Sequence, residues 1–113
     1  MDFRVIKEEL GSKGNSRGKT LLLQALIWRL TKTDSEEHRN NAIHSFISND
    51  ILGCRNDSIN LGLVTKIFVS TDQSLTEYLA RFINVVASFA AGRQYISQSE
   101  VSLLILIIIY AGI

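Results

Sequence analysis

Between Gly18 and Lys32 the apolar residues Leu22, Leu23, Leu26, Ile27 and Leu30 recur at steps of three and four. That period places them on one face of a helix, with Trp28 at its edge. Asp34, followed by Glu37 three residues later, has the spacing of a capping box with Asp as the cap. It predicts a second helix whose buried stripe is Ala42, Ile43, Phe46 and Ile47. Ser48-Asn49-Asp50 interrupts that helix, and Gly53 to Asp57 reads as the next turn. A third helix is expected from about Ser58 to Val69, with Ile59, Leu63, Ile67 and Phe68 facing inward. The clearest pattern spans about Gln73 to Ala91, where Leu75, Tyr78, Leu79, Phe82, Ile83, Val86 and Phe89 form one stripe. Ser74 and Glu77 have capping-box spacing at its start. Gly92 is placed to end it in a left-handed conformation, with Arg93 beside the negative helix end. Residues 1–10 read as a short amphipathic segment, and Gly11-Ser12-Lys13-Gly14-Asn15-Ser16 as a flexible linker.

Composition agrees with an all-helical reading. Among 113 residues there is no proline and only 7 glycines, too few for a many-turned β sandwich. Hydrophobic residues make up 46% and charged residues 20%, which is globular rather than disordered. A net charge of +1 lacks the positive field that nucleic-acid binding needs. The single cysteine, Cys54, excludes an internal disulfide framework and a multi-cysteine zinc site. Met1-Asp2-Phe3-Arg4 does not open a secretory leader. The apolar run Leu103 to Ile109 falls short of the roughly 20 residues of a membrane helix. A cytoplasmic protein without a membrane span is the expectation.

An internal echo sharpens the fold class. Gln24-Ala25-Leu26-Ile27-Trp28-Arg29-Leu30 leads through a polar stretch to Asn41-Ala42-Ile43-His44. Leu79-Ala80-Arg81-Phe82-Ile83-Asn84-Val85 leads through a shorter one to Gln94-Tyr95-Ile96-Ser97. Such repeats occur in armadillo and HEAT solenoids, where one unit cannot bury its own apolar face. Leu63 to Val69 is similar to the second helix of an armadillo repeat, Ser70 to Gln73 to the corner after it, and Leu75 to Ser88 to the long third helix. The resemblance covers about Leu21 to Glu100. It implies an all-α, armadillo/HEAT-like right-handed α-solenoid fragment of about two repeats. The chain then divides into residues 1–16 as an N-terminal segment and linker, 17–100 as repeats, and 101–113 as an apolar tail.

Longer words narrow the family. Gln24 to Thr31, then Phe46 to Cys54, then Ala80 to Asn84 and Ala87 to Arg93, stand in one order that resembles the armadillo repeat-containing protein 9 family. That resemblance implies a LisH-domain armadillo protein of ciliary basal bodies and centrioles, acting in cilium formation and stability and in Hedgehog signalling. Its partners would be other proteins, ciliary or centrosomal. The family's LisH segment and coiled coil have no match in this sequence, so self-association and localisation that they carry are not implied here.

Candidate chemistry is sparse. Gly14-Asn15-Ser16-Arg17-Gly18-Lys19-Thr20 resembles a phosphate-binding loop, whose amides wrap phosphates while lysine and hydroxyl meet phosphate and magnesium. It has one residue too few, Lys13 stands where the first glycine belongs, and no buried strand leads into it. His38 and His44 are six apart and share no helix face as a metal pair would. Ser97 and Ser99 have no triad partners nearby. Glu36 and Glu37 suit a helix first turn. By the armadillo resemblance, Asn84 would line a concave groove and hydrogen-bond an extended partner's backbone, since an amide both donates and accepts. Its alternative is an exposed or structurally bonded helix residue. Trp28 is a second candidate for protein contact, against the alternative of packing, and the same choice holds for Tyr95.

These readings converge on a non-catalytic protein-interaction scaffold that needs no cofactor or metal and serves cilium assembly or stability at the basal body. The alternatives are a nucleotide-binding protein using Gly14 to Thr20 and a generic armadillo or HEAT fragment unrelated to cilia. After Glu100 the pattern changes, because Val101 to Ile109 has almost no polar face. Glu100-Val101-Ser102 can be encoded by GAG-GTA-AGT, an exon end followed by a splice donor. Residues 101–113 therefore read either as translated intron sequence or as a short apolar helix docked on its neighbour.

Overall fold

The computed structural model describes residues 2–11, 16–32, 35–52 and 72–97. These residues form five helices and no strand: α1 (Phe3–Gly11), α2 (Ser16–Thr31), α3 (Glu36–Ser48), α4 (Gln73–Ala87) and α5 (Ala90–Ile96). The all-helical expectation holds for them. The helix expected over Ser58 to Val69, the turn at Gly53 to Asp57 and the apolar tail lie outside the described residues, as does Asp34.

The periodic stripes become the core. α2 packs most extensively on α4, while α3 rests on α2 and α5, α5 folds back on α4, and α1 lies against α2. Leu23, Leu26 and Leu30 of α2 are buried against Leu75, Leu79, Phe82, Ile83 and Val86 of α4 in one cluster with Ile43 and Phe46 of α3. Leu22, Ile27, Ala42, Ile47, Tyr78 and Phe89 pack on its rim, half-buried. Steps of three and four give an apolar stripe wide enough for that division, with central positions dry and flanking ones half-wet. Three rings run through the core edge to face. Phe3 and Phe46 have centroids 5.7 Å apart, and Phe46 and Phe82 6.1 Å, so α1, α3 and α4 are joined.

The helix ends differ from the expected ones. Ser35, not Asp34, caps α3: its backbone is extended and its hydroxyl accepts from the His38 N–H at 3.0 Å. Glu36 and Glu37 then occupy the first turn, where the helix dipole favours them. Asp72, not Ser74, caps α4, its carboxylate accepting from the Leu75 N–H at 3.1 Å. In both cases the cap lies three residues before the amide it serves, which is the reach of a short oxygen-bearing side chain.

The predicted helix Gln73 to Ala91 is two helices. α4 ends at Ala87, and Phe89 is extended (φ −95°, ψ 141°) before α5 begins at Ala90. At that ending the Ser88 hydroxyl donates to the Val85 carbonyl at 2.6 Å, as short polar side chains do when they compete with the backbone. Gly92 accordingly ends nothing. It is a buried residue inside α5 that lets this helix close on the end of α4. A Cβ there would stand 2.7 Å from the Val86 carbonyl carbon and 3.0 Å from Val86 Cγ1. Arg93 does meet a negative helix end, but of the preceding helix: its guanidinium donates to the Ala87 carbonyl at 3.1 Å.

Among the described residues other than glycine, Asp50 alone has a left-handed backbone (φ 49°), after the last residue of α3. Its N–H donates to the Ile47 carbonyl at 3.0 Å, and the Ile51 N–H donates to the Phe46 carbonyl at 3.1 Å. This pair of bonds is the Schellman termination, here built on Asp, which tolerates that conformation better than most residues with a Cβ. Tyr95 holds the corner. Its phenol donates to Asp50 Oδ1 at 2.6 Å and accepts from the Leu52 N–H at 2.9 Å. The ring is buried, so Tyr95 is a packing residue that ties α5 to the end of α3.

Candidate interaction surface

Alternation along α2 leaves a second stripe facing solvent. Leu21, Ala25 and Trp28, at steps of four and three, are all exposed, with Leu21 at 55% and Trp28 at 57%. Trp28 makes no hydrogen bond through its indole and no ring contact with the described residues. Single exposed apolar residues are ordinary, but Trp with Leu on one helix face is a surface suited to contact. Trp28 thus stands well outside the core.

Asn84 lies on α4, the helix against which α2 packs, and is exposed. Steps of four and three put Glu77, Arg81, Asn84 and Ser88 on one solvent-facing side. The Arg81 guanidinium carbon sits 5.0 Å from the centroid of the half-buried Tyr78 ring, a cation–π contact that keeps the arginine along the helix. Among the described residues the Asn84 amide makes no side-chain hydrogen bond, which fits a contact residue and equally the alternative of an exposed helix residue.

A third feature escaped the sequence reading. A groove of about 530 Å³ opens between the start of α1, the end of α2 and the outer face of α3. Its floor is Phe3, Ala42 and Phe46, and its rim is Arg29, His38, Asn41 and Ser45. Four of these, His38, Asn41, Ala42 and Ser45, follow steps of three, one and three along α3, which was the only signal in the sequence. Phe3 and Arg29 arrive through tertiary packing alone.

Among the described residues the remaining candidates do not assemble chemistry. The element leading toward Lys19 and Thr20 is helix α1, where a phosphate loop needs a strand. Lys19 is buried at 8% exposure, and the Thr20 hydroxyl donates to the Ser16 carbonyl at 2.9 Å. His38 and His44 are both exposed, and among the described residues no three metal-ligating side chains come together. No helix among the described residues is long and apolar enough to cross a membrane.

Over 99 residues, or 88% of its length, the chain is 39% identical to a mouse protein and 40% identical to a human one that carry the same name. The chain is similar to LisH domain-containing protein ARMC9. The Xenopus tropicalis ARMC9 is 40% identical over 100 residues, again 88% of the chain. The similarity agrees with the family indicated by Gln24 to Thr31 and the words that follow it. The chain spans about 12% of the length of these curated ARMC9 relatives. No protein-family profile matches the chain, and no solved structure matches it.

Proposed function

We propose that this chain is a non-catalytic protein-interaction module of armadillo type that serves cilium assembly or stability at the basal body. The observation that carries the proposal is the similarity to ARMC9 over 88% of the chain. The described helices support it, since stacked amphipathic helices present a continuous surface without needing a reactive centre. In this reading the paired long helices α2 and α4 are the cores of two successive repeats, and Leu21, Trp28 and Asn84 are contact residues on them. Protein partners are favoured over nucleic acid by the net charge of +1.

The test is localisation and capture in ciliated cells. The full chain, fluorescently tagged, is expected to concentrate at the base of the cilium and to recover centrosomal proteins after proximity labelling. A diffuse signal, with labelling no different from the tag alone, sinks the proposal. The double variant Trp28→Ser with Asn84→Ala is expected to weaken recruitment while leaving the helical circular-dichroism spectrum unchanged.

A further inference from the structure

The outer side of α2 carries a charge pattern as well as apolar side chains. Arg17, Leu21, Ala25, Trp28 and Lys32 follow one another at steps of four, four, three and four, and all five are exposed. Lys32 directly follows the last residue of α2 and continues its turn, its N–H donating to the Trp28 carbonyl at 2.8 Å. At about 100° per residue the five fall within an arc of about 80°, opposite the side that buries Leu23, Leu26 and Leu30. The stripe reads cation, three apolar residues, cation, over a rise of about 22 Å. Neither the Arg17 guanidinium nor the Lys32 ammonium makes an ion pair or hydrogen bond with the described residues. α2 itself contains no Asp or Glu. Arg17 stands in the first turn, where the positive end of the helix dipole disfavours a cation and no acid of that turn offsets it. A carboxylate brought there from outside gains from the guanidinium and from the helix end together.

A second copy of the chain does not fit this pattern. Antiparallel copies of α2 set Arg17 against Lys32, and parallel copies set each cation against itself, so like charges meet either way. A bilayer fits poorly as well. A helix lying in a membrane interface buries a broad apolar face, whereas Leu21, Ala25 and Trp28 form a single line between Gln24 and Arg29.

From these observations we infer that the outer face of α2 docks an amphipathic helix of a partner protein, with carboxylates about four turns apart and apolar residues between them. The apolar line of that helix covers Leu21, Ala25 and Trp28, and its two carboxylates meet Arg17 and Lys32. Steps of three and four are those by which two helices interdigitate, and Ala25 gives room at the middle of the contact. This rests on the interaction-module reading, and it names the chemistry of the partner that such a module takes.

Trp28 is the single tryptophan of the chain, so its emission reports the stripe directly. The full 113-residue chain is titrated with the capped peptide EQAQLAQLAQALQAQE, with the same peptide carrying Lys at both ends, and with the form in which Gln replaces its leucines. The acidic leucine peptide should move Trp28 emission to shorter wavelength. It should bind about tenfold more tightly than the lysine form, through charge complementarity, and about tenfold more tightly than the glutamine form, through apolar burial. The double variant Arg17→Gln with Lys32→Gln should narrow the glutamate-over-lysine preference about fivefold, the worth of two exposed pairs, and about 1 M salt should narrow it likewise. Leu21→Ser should weaken binding of the acidic peptide with the circular-dichroism spectrum unchanged, since the position is exposed. Vesicles of phosphatidylcholine with phosphatidylserine should leave the emission as it is. The inference is overturned by no shift with the acidic peptide at millimolar concentration, by an equal response to all three peptides, by a charge preference that the double variant leaves intact, or by a shift with vesicles alone. The two readings fail separately: basal-body recruitment retained without peptide docking removes only this partner class, whereas docking without recruitment removes only the ciliary module.

Discussion

Gly92 shows how one residue can carry a different meaning from its sequence context. Following a long apolar stripe, a glycine reads as a helix terminator, because it enters the left-handed region at no steric cost. In the structure it is buried within α5, where closeness rather than chirality demands glycine: a Cβ would stand 2.7 Å from the Val86 carbonyl carbon. A glycine in an open helix interior and a glycine at this close approach predict opposite signs for Gly92→Ala. In an unobstructed helix the change would stabilise by about 1 kcal/mol through helix propensity. Here the methyl group must force α5 away from α4, and overpacking of this kind costs about 1–3 kcal/mol. Urea denaturation of the variant should show a lower midpoint, and a raised one would mean that the close approach is absent. The left-handed position went to Asp50 instead, and nothing in the local sequence marked it above its neighbour Asn49. The Tyr95 phenol bonds Asp50 and the Leu52 N–H, residues more than 40 positions away, and such a partnership has no local signature.

At the scale of the helix, legibility follows the range of the interaction. Burial of the stripes on α2, α3 and α4 depends on a period of 3.6, which the chain displays within each segment, so Leu23, Leu26, Phe46, Phe82 and Ile83 were readable. Helix ends depend on single hydrogen bonds, for which Asp34 and Ser35, or Asp72 and Ser74, are close competitors. The break at Ser88-Phe89 was hidden because the apolar period runs through it. The groove was hidden because three helices build it. The cap assignment is open to a direct comparison. Asp72→Ala should destabilise by about 0.5–2 kcal/mol, the usual worth of an N-cap. Ser74→Ala, two residues on, should change stability by less than about 0.5 kcal/mol, as ordinary surface substitutions do. Thermal melts of the two variants side by side decide between the capping residues, and equal losses would return Ser74 to a capping role.

At the scale of the whole molecule, one cluster holds the described helices together, and Phe82 stands at its centre. Its side chain is 0% exposed, it faces α2 across the most extensive helix contact, and it meets Phe46 of α3 edge to face. Phe46 in turn meets Phe3 of α1. Truncating Phe82 to alanine therefore removes packing from α4 and α2 directly and loosens the ring contact on which α1 and α3 depend. A buried Phe→Ala change costs about 3–5 kcal/mol, a large share of the 5–15 kcal/mol that folded domains possess. Because a single cluster is involved, the loss should appear as one cooperative transition shifted to lower denaturant, seen identically by circular dichroism and by Trp28 fluorescence. Trp28 is exposed on the far side of α2 from the core, so its emission reports the integrity of that helix without perturbing the cluster. Amide exchange in α1 should quicken along with that in α4, although α1 is distant in sequence. A loss below about 0.5 kcal/mol would mean that Phe82 is not enclosed. Protection in α1 that persisted while α4 exchanged freely would mean that the helices fold as separate units and not around one core.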